Sequence, residues 1–117
     1  MSTFAVFGMT RPQANLMARK AVTRQVEKRR MVIDPEEYER LIRVEADRIM
    51  EGNQTAMLSD KYDAPEFAEQ YRELAKKLEH RDLHIKAYTK VRDSDGRYAT
   101  NKSGTFKKHW TSDWEKP

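Results

Sequence analysis

Between Leu83 and Arg92, side chains alternate in a way that could bind an anionic partner. Every second residue is basic or aromatic, and the residues between them are apolar or threonine. In a β-strand this pattern puts one set on one face, with neighbours about 6.5 to 7 Å apart. That spacing is close to the distance between phosphates along a nucleic-acid strand. The predicted site comprises His84, Lys86, Tyr88, Lys90, Arg92, and, from the following turn and strand, Lys102, Lys107 and Lys108.

The same alternation is also typical of a solvated strand whose lysines keep it soluble and blunt an exposed edge. A single tyrosine among the cations offers one ring for base stacking, which is a weak signal. The sequence contains no RNP-type aromatic pair, GXXG loop or zinc knuckle. Both interpretations of the segment therefore stay open.

A second basic region lies between Arg19 and Arg30. It could follow a DNA backbone, but a recognition helix usually comes after another helix, and this one follows a predicted strand. Residues 1–33 hold seven Lys/Arg and one acid, whereas residues 34–66 hold four Lys/Arg and ten acids. We therefore expect the acidic middle to pair with the first helix. Residues 83–117, with eight Lys/Arg and four acids, would remain as the uncompensated positive surface.

Metal binding is not predicted. His80 and His84 have a spacing that binds zinc on a helix, but a change of period at Asp82 assigns His84 to a strand. The chain has no cysteine, which excludes disulfides and thiolate zinc sites. The segment 93–96 (Asp-Ser-Asp-Gly) indicates a hairpin turn, because it lacks the spacing of a calcium loop. No cofactor is expected.

The sequence contains no recognisable set of catalytic residues. Gly8, at a strand-to-helix junction, is one glycine and falls far short of a phosphate-binding loop. The serines lack a GxSxG context. The carboxylates cluster near helix N-termini, where capping and the helix dipole explain them. We predict that the protein is not an enzyme and has no small-molecule substrate.

The first half of the chain predicts one strand and two helices. Residues 3–7 are rich in β-formers, and Gly8 follows them. Thr10 can cap a helix that runs from Pro12 to about Arg30. Asp34 and the proline after it begin a second helix, which ends at Gly52 as a left-handed residue.

The second half predicts one helix and three strands. After a polar loop over residues 53–62, Asp63 caps a helix with an apolar stripe, whose members are Phe67, Tyr71, Leu74 and Leu78. The stripe resembles a coiled-coil seam, but its two heptads favour simple packing. Beyond Asp82 the period becomes two, which predicts strands over 83–92, 97–100 and 105–110.

These elements predict an α+β fold in the order β-α-α-α-β-β-β, with three helices on one face of a small antiparallel sheet. The last three strands form a meander. Residues 1–110 make one domain, and residues 111–117 a charged tail. Trp110 could close the core. Trp114 is a candidate anchor for a protein partner, because tryptophan is enriched at binding hot spots; alternatively, the tail folds back and this ring packs on the domain.

The sequence therefore predicts a small non-enzymatic binding protein that docks an anionic partner, a nucleic acid or a nucleic-acid-associated complex, on a basic sheet face. The alternative is a protein-directed inhibitor or adaptor, of the phage or mobile-element type that blocks a host protein. Small size, segregated charge and the lack of an active site suit that role. No apolar run approaches the roughly 20 residues that cross a bilayer, and no secretory signal is present, so a cytoplasmic location is expected. The identity of the partner and the oligomeric state stay open.

Overall fold

A computed structural model describes residues 2–92, 95–112 and 114 of the 117-residue chain. Its strands form one antiparallel sheet in the order β2-β1-β3-β4. The predicted α+β fold class is confirmed. The elements are β1 (Thr3–Thr10), α1 (Arg11–Arg29), α2 (Pro35–Glu51), β2 (Ala56–Met57), α3 (Pro65–Ala75), β3 (His80–Lys90) and β4 (Lys108–Thr111).

The molecule has two lobes. Helices α1 and α2 pack on each other as a helical hairpin, while α3 packs on one face of the sheet. The Cα radius of gyration is 18.6 Å, whereas a compact domain of this length would have about 13 Å. The predicted arrangement, with all three helices on the sheet, is therefore more compact than the structure. The reason is that α1 and α2 bury their apolar residues largely against one another.

Small side chains let the two helices of the hairpin approach closely. Thr10 caps α1 through the backbone N–H of Gln13, and Asp34 caps α2 through that of Glu37, as predicted. The hydroxyls of Thr23 and Tyr38 form a hydrogen bond between the helices. The hairpin core consists of Ala14, Ala18 and Val22 from α1, Ile42, Ala46 and Ile49 from α2, and Met9 from β1.

The core of the sheet lobe lies between α3 and the inner face of the sheet. Val6 and Ile85 are cross-strand partners on β1 and β3, and Ala68 of α3 packs against both. The hydroxyl of Tyr71 donates to the carbonyl of Leu58 at 2.8 Å, which fixes α3 over the segment after β2. Short side chains on α3 therefore bring this helix close to the sheet.

A β-bulge marks the end of the sheet that meets the hairpin. The β1–β3 register shifts between Phe7 and Met9, and Gly8 has φ of +146°. A Cβ at Gly8 would lie 2.8 Å from the carbonyl oxygen of Asp82. Only glycine fits this close approach of the two strands.

Two arginines connect the lobes at this end. The guanidinium of Arg81 donates to the backbone carbonyls of residues 49, 50 and 54, at and beyond the end of α2. Arg11 donates to Asp47 of α2 and to both carboxylate oxygens of Glu79. The hairpin is thus fixed to the sheet by charge-assisted hydrogen bonds as well as by Met9.

Several predicted helix details are wrong. Asp63 does not cap α3, whose N-cap is Ala64 without a side-chain hydrogen bond. Gly52 ends α2 in an extended rather than a left-handed conformation. The predicted packed stripe of α3 is largely exposed at Phe67, Leu74 and Leu78, because the sheet is covered by the alanines of this helix. The longest described helix is α1, and no helix of the described residues is sufficiently long and apolar to span a membrane.

The C-terminal meander is shorter than predicted. Residues 97–100 make isolated bridges, Arg92 with Tyr98 and Thr100 with Phe106, and form no strand of the sheet. The reason is that β4 pairs directly with β3, and the N–H of Val91 donates to the carbonyl of Lys107. The turn predicted at 93–96 lies partly outside the described residues.

Other boundaries also move. Strand β1 continues to Thr10, and β3 begins at His80 rather than Leu83. Residues 53–62, predicted as a loop, contain the short strand β2. The domain boundary after Trp110 stays a prediction, although Thr111 belongs to β4.

Candidate nucleic-acid interface

The face of the sheet opposite α3 brings together side chains from three strands. The register pairs Phe7 with His84, Ala5 with Lys86, and Thr3 with Tyr88 across β1 and β3. Tyr88 and Lys90 in turn lie opposite residues of β4. Neither apolar core includes a residue of this set. We call it the outer face and define it as Phe7, His84, Lys86, Tyr88, Lys90, Lys108 and Trp110.

Aromatic rings form a continuous cluster on the outer face. The imidazole of His84 stacks on Phe7, with centroids 6.2 Å apart and planes 25° apart. Trp110 contacts Phe7 edge to face at 5.1 Å and the tilted ring of Tyr88 at 5.2 Å. Such pairs stabilise a sheet beyond the area they bury. Tyr88 remains 37% exposed, so its ring is available to a ligand.

Lysines lie over these rings or beside them. The ammonium of Lys86 is 5.0 Å from the centroid of Phe7. That of Lys90 is 4.1 Å from Phe106 and 5.1 Å from Tyr98. Cation–π attraction holds each charge in a defined position without neutralising it. The outer face is therefore a positively charged surface with ordered cations.

At the far end of β3, a small aromatic pair extends the outer face. Tyr98 and Phe106 meet edge to face at 5.8 Å. The guanidinium of Arg92 lies 5.1 Å from the Tyr98 ring, and one of its nitrogens is 3.4 Å from the tyrosine hydroxyl. Arg92 thus joins Lys90 at these two rings, as the strand alternation predicted.

Like charges face each other on this surface. Lys90 and Lys108 are direct cross-strand partners, an arrangement that costs free energy in an isolated sheet. Among the described residues, no carboxylate lies within 4.0 Å of the charged nitrogens of Lys86, Lys90 or Lys108. An anionic ligand would relieve this repulsion.

The sequence-predicted residues divide into two groups. His84, Lys86, Tyr88, Lys90 and Lys108 share the outer face, and Arg92 adjoins it.

Two other predicted lysines do not join this group. Lys107 directly precedes β4, where alternation turns it away from the side of Lys108. Lys102 is exposed in the turn that Gly104 closes onto Asn101. Neither contacts the aromatic cluster within the described part of the chain.

Sequence reasoning missed two rings of the outer face. The sequence pattern predicts only a strand for Phe7 and a possible core position for Trp110. The structure puts both rings on the outer face instead. The alternation of Thr3, Ala5 and Phe7 was a usable signal, but it gains meaning only once the register with β3 is known.

Trp114 lies on the opposite side of the sheet. Its ring meets Phe4 edge to face at 5.1 Å, and its indole N–H donates to the carbonyl of Ile85 at 2.9 Å. The ring packs against the core of the sheet lobe, as in the alternative of a tail that folds back. Its use as an anchor for a protein partner stays a prediction.

The first helix keeps more positive charge than the sequence indicated. Only Arg11 and Arg19 of α1 form ion pairs with α2, to Asp47 and Glu39. Acids of α2 are also used within α2, by Arg40 and Arg48. We call the remaining exposed cations the α1 ridge, and none of them has an ion pair among the described residues: Lys20, Arg24, Lys28, Arg29 and Arg30.

The described residues contain no group of three His, Asp or Glu side chains that could hold a metal ion. His80 and His84 each contact a backbone carbonyl through Nδ1. A groove of about 410 Å³ between α1 and α2 is lined in part by side chains that already form ion pairs, among them Arg11 and Asp47.

The resolved pKa shifts lie outside the outer face. Hydrogen bonds from Arg11 lower the pKa of Glu79, and the same contacts raise the pKa of Arg11. Burial raises the pKa of Tyr62, with a smaller effect from Asp60. These shifts report ion pairing at the lobe junction and packing in the sheet lobe.

Comparison with known proteins gives no relative. No family model matches the sequence, and neither a curated protein nor a solved structure is similar to it. What can be said about function therefore depends on the chain's own residues.

Proposed function

We propose that the protein is a non-enzymatic binding protein that holds a nucleic-acid strand on the outer face of its sheet. The observation that carries this proposal is the combination of lysines that have no ion pair among the described residues with an aromatic cluster on a face that neither apolar core includes. Nucleic-acid strands offer phosphates and ring faces, which are the two groups that such a surface recognises.

The cations have a spacing that suits a phosphate backbone. Lys86 and Lys90 are four residues apart on β3, which corresponds to about 13 Å along the strand. Lys108 lies directly across from Lys90, and Arg92 follows it. Lys86, Lys90 and Arg92 thus form a row along β3, and Lys108 widens this row beside Lys90. A nucleic-acid strand that bends there could be contacted from both sides.

The aromatic rings favour a single strand over a duplex. Tyr88 lies between the two lysines of β3, and Trp110 beside it is half-buried. Bases in a duplex are stacked on each other, so their ring faces are not accessible to side chains. Unpaired bases can stack on tyrosine or tryptophan, which contributes about 1 to 3 kcal/mol per base.

The alternative, a protein-directed inhibitor of the phage or mobile-element type, has less support. Its proposed anchor, Trp114, uses its indole N–H and one ring edge inside the fold. An acidic protein surface could still meet the outer face by charge alone, but it would make no use of the rings. The two proposals differ in their dependence on unpaired bases.

Binding to labelled oligonucleotides tests the proposal. Fluorescence anisotropy should show that the protein binds unstructured single strands of DNA or RNA more tightly than a duplex of equal length. With four phosphate contacts, affinity for a single strand should fall about fifty-fold between about 50 and 200 mM salt.

Absence of any oligonucleotide binding at the lower salt concentration would exclude the proposal. Capture of partners from a cell extract, with and without nuclease, separates it from the alternative. A stoichiometric protein that stays bound after nuclease treatment would favour a protein-directed role.

A further inference from the structure

Helix α3 presents an apolar stripe to solvent. Phe67, Leu74 and Leu78 are 54%, 62% and 45% exposed. Phe67 and Leu74 are seven residues apart, which places them on one side of the helix. Leu78 lies in the turn that follows α3, where the N–H of Lys77 donates to the carbonyl of Leu74 and the N–H of Leu78 donates to the carbonyl of Ala75.

This stripe differs from isolated exposed apolar side chains. Single exposed side chains such as Leu16 and Val44 are common on monomeric proteins. Two on one side of α3, with a third in the turn that follows the helix, make a larger apolar surface, which is typical of a surface that a partner covers. The stripe is not needed for packing against the sheet, because Ala68 and Ala75 are the residues of α3 that are buried there.

Two charged residues flank the stripe at its two ends. Glu66 lies in the first turn of α3, and Lys77 lies in the turn that follows its last residue. Neither forms an ion pair within the described residues. The other acids of α3 are paired three residues away along the helix, Glu69 with Arg72 and Glu73 with Lys76.

We propose that this face of α3 binds the same face of a second copy of the chain, with the two helices antiparallel. A two-fold axis between Tyr71 and Arg72 puts Glu66 opposite Lys77 of the second copy, because both are equally far from that axis. It also places Phe67 between Leu74 and Leu78 of the second copy. This contact buries the stripe. It also forms two identical ion pairs, each between Glu66 of one copy and Lys77 of the other, as a two-fold interface requires.

Sedimentation of the full chain tests the dimer. A contact through one helix face is at the small end of specific interfaces, so a reversible monomer–dimer equilibrium is expected at about 10 to 500 µM. Leu74→Glu should abolish the dimer and leave the far-UV circular dichroism unchanged. Val44→Glu, at a residue 55% exposed on α2, is the matched control and should leave the dimer intact.

A charge exchange tests the antiparallel register. Glu66→Lys or Lys77→Glu alone places like charges opposite each other at two sites, which should weaken the dimer about tenfold. The double variant restores both pairs and should recover the wild-type equilibrium. A wild-type chain that stays monomeric at the highest concentration would overturn the proposal. Failure of the double variant to recover, or equal dissociation by Val44→Glu, would also overturn it.

Discussion

The outer face of the sheet and the α1 ridge carry similar charge but are built differently. The ridge consists of residues close in sequence, and its exposed cations make no cation–π contact among the described residues. The outer face joins residues as far apart as Phe7 and Trp110, and it holds lysines over aromatic rings. Charge alone therefore does not define the candidate site. The site is defined by the pairing of strands, which brings the charges and the rings together.

Long-range construction makes the outer face sensitive to the register of the sheet. The ridge depends only on local helical geometry, so a change that disturbs strand pairing should affect one surface and spare the other.

The largest effect is expected from Gly8→Ala at the bulge. The new Cβ would meet the carbonyl oxygen of Asp82, and φ of +146° is unfavourable for alanine. We expect a loss of about 3 kcal/mol in the free energy of unfolding, measured with urea. The helical signal of the hairpin should persist at denaturant concentrations where the sheet lobe has lost its tryptophan fluorescence.

Gly104→Ala is the matched control for this substitution. Gly104 also has positive φ, of 88°, but no atom of the described residues lies within 4 Å of its Cβ position. Its cost should stay near 1 kcal/mol. Equal destabilisation by both variants would show that the close approach at the bulge is unimportant.

A smaller effect is expected from Trp110→Ala, which removes a ring and leaves every charge in place. If bases stack on the cluster, affinity for a single-stranded oligonucleotide should fall about tenfold. Trp110→Phe keeps an aromatic ring and should retain most of the binding. Anisotropy at constant salt measures both variants, and unchanged binding by Trp110→Ala would reduce the outer face to a purely electrostatic surface like the ridge.

The smallest effect on stability is expected at the junction between the two lobes, which holds the outer face and the α1 ridge in a fixed relation. Because Arg11 lowers the pKa of Glu79 from its ordinary value of 4.5, this ion pair stabilises the fold above that pH. The stabilisation is lost as pH falls through the lowered pKa. The urea midpoint should therefore drop in acid, and Glu79→Gln should have a lower midpoint at pH 7 and a flatter acid dependence. An identical pH profile for the two proteins would contradict this role of Arg11.

The sequence predicted those features that depend on local patterns. Caps at Thr10 and Asp34, and the alternation along β3, need only nearby residues. The roles of Phe7 and Trp110 need the antiparallel register, which periodicity does not specify. Charge arithmetic over whole segments also failed for α1, because acids of α2 pair within their own helix, as Glu37 does with Arg40.

The stripe of α3 shows a related limit of sequence patterns. An apolar helical stripe was predicted to pack inside the fold, yet the alanines of the same helix face the sheet. A close helix–sheet approach selects small residues, and hydropathy patterns give more weight to large ones. The large side chains are thereby left for a contact outside the monomer, which the proposed dimer supplies.

A matched pair of charge reversals tests the central claim most directly. Lys86→Glu with Lys90→Glu alters the outer face, and Arg24→Glu with Lys28→Glu alters the α1 ridge. Each double variant lowers the formal net charge from +4 to zero, so their overall electrostatics are equal.

Titration of a labelled single strand at about 50 mM salt should show no binding by the outer-face variant. The ridge variant should lose less than about fivefold in affinity, because within the described part of the chain no aromatic ring contacts its cations to position a strand. Equal losses by the two variants, or a greater loss by the ridge variant, would contradict the assignment of the outer face as the binding surface.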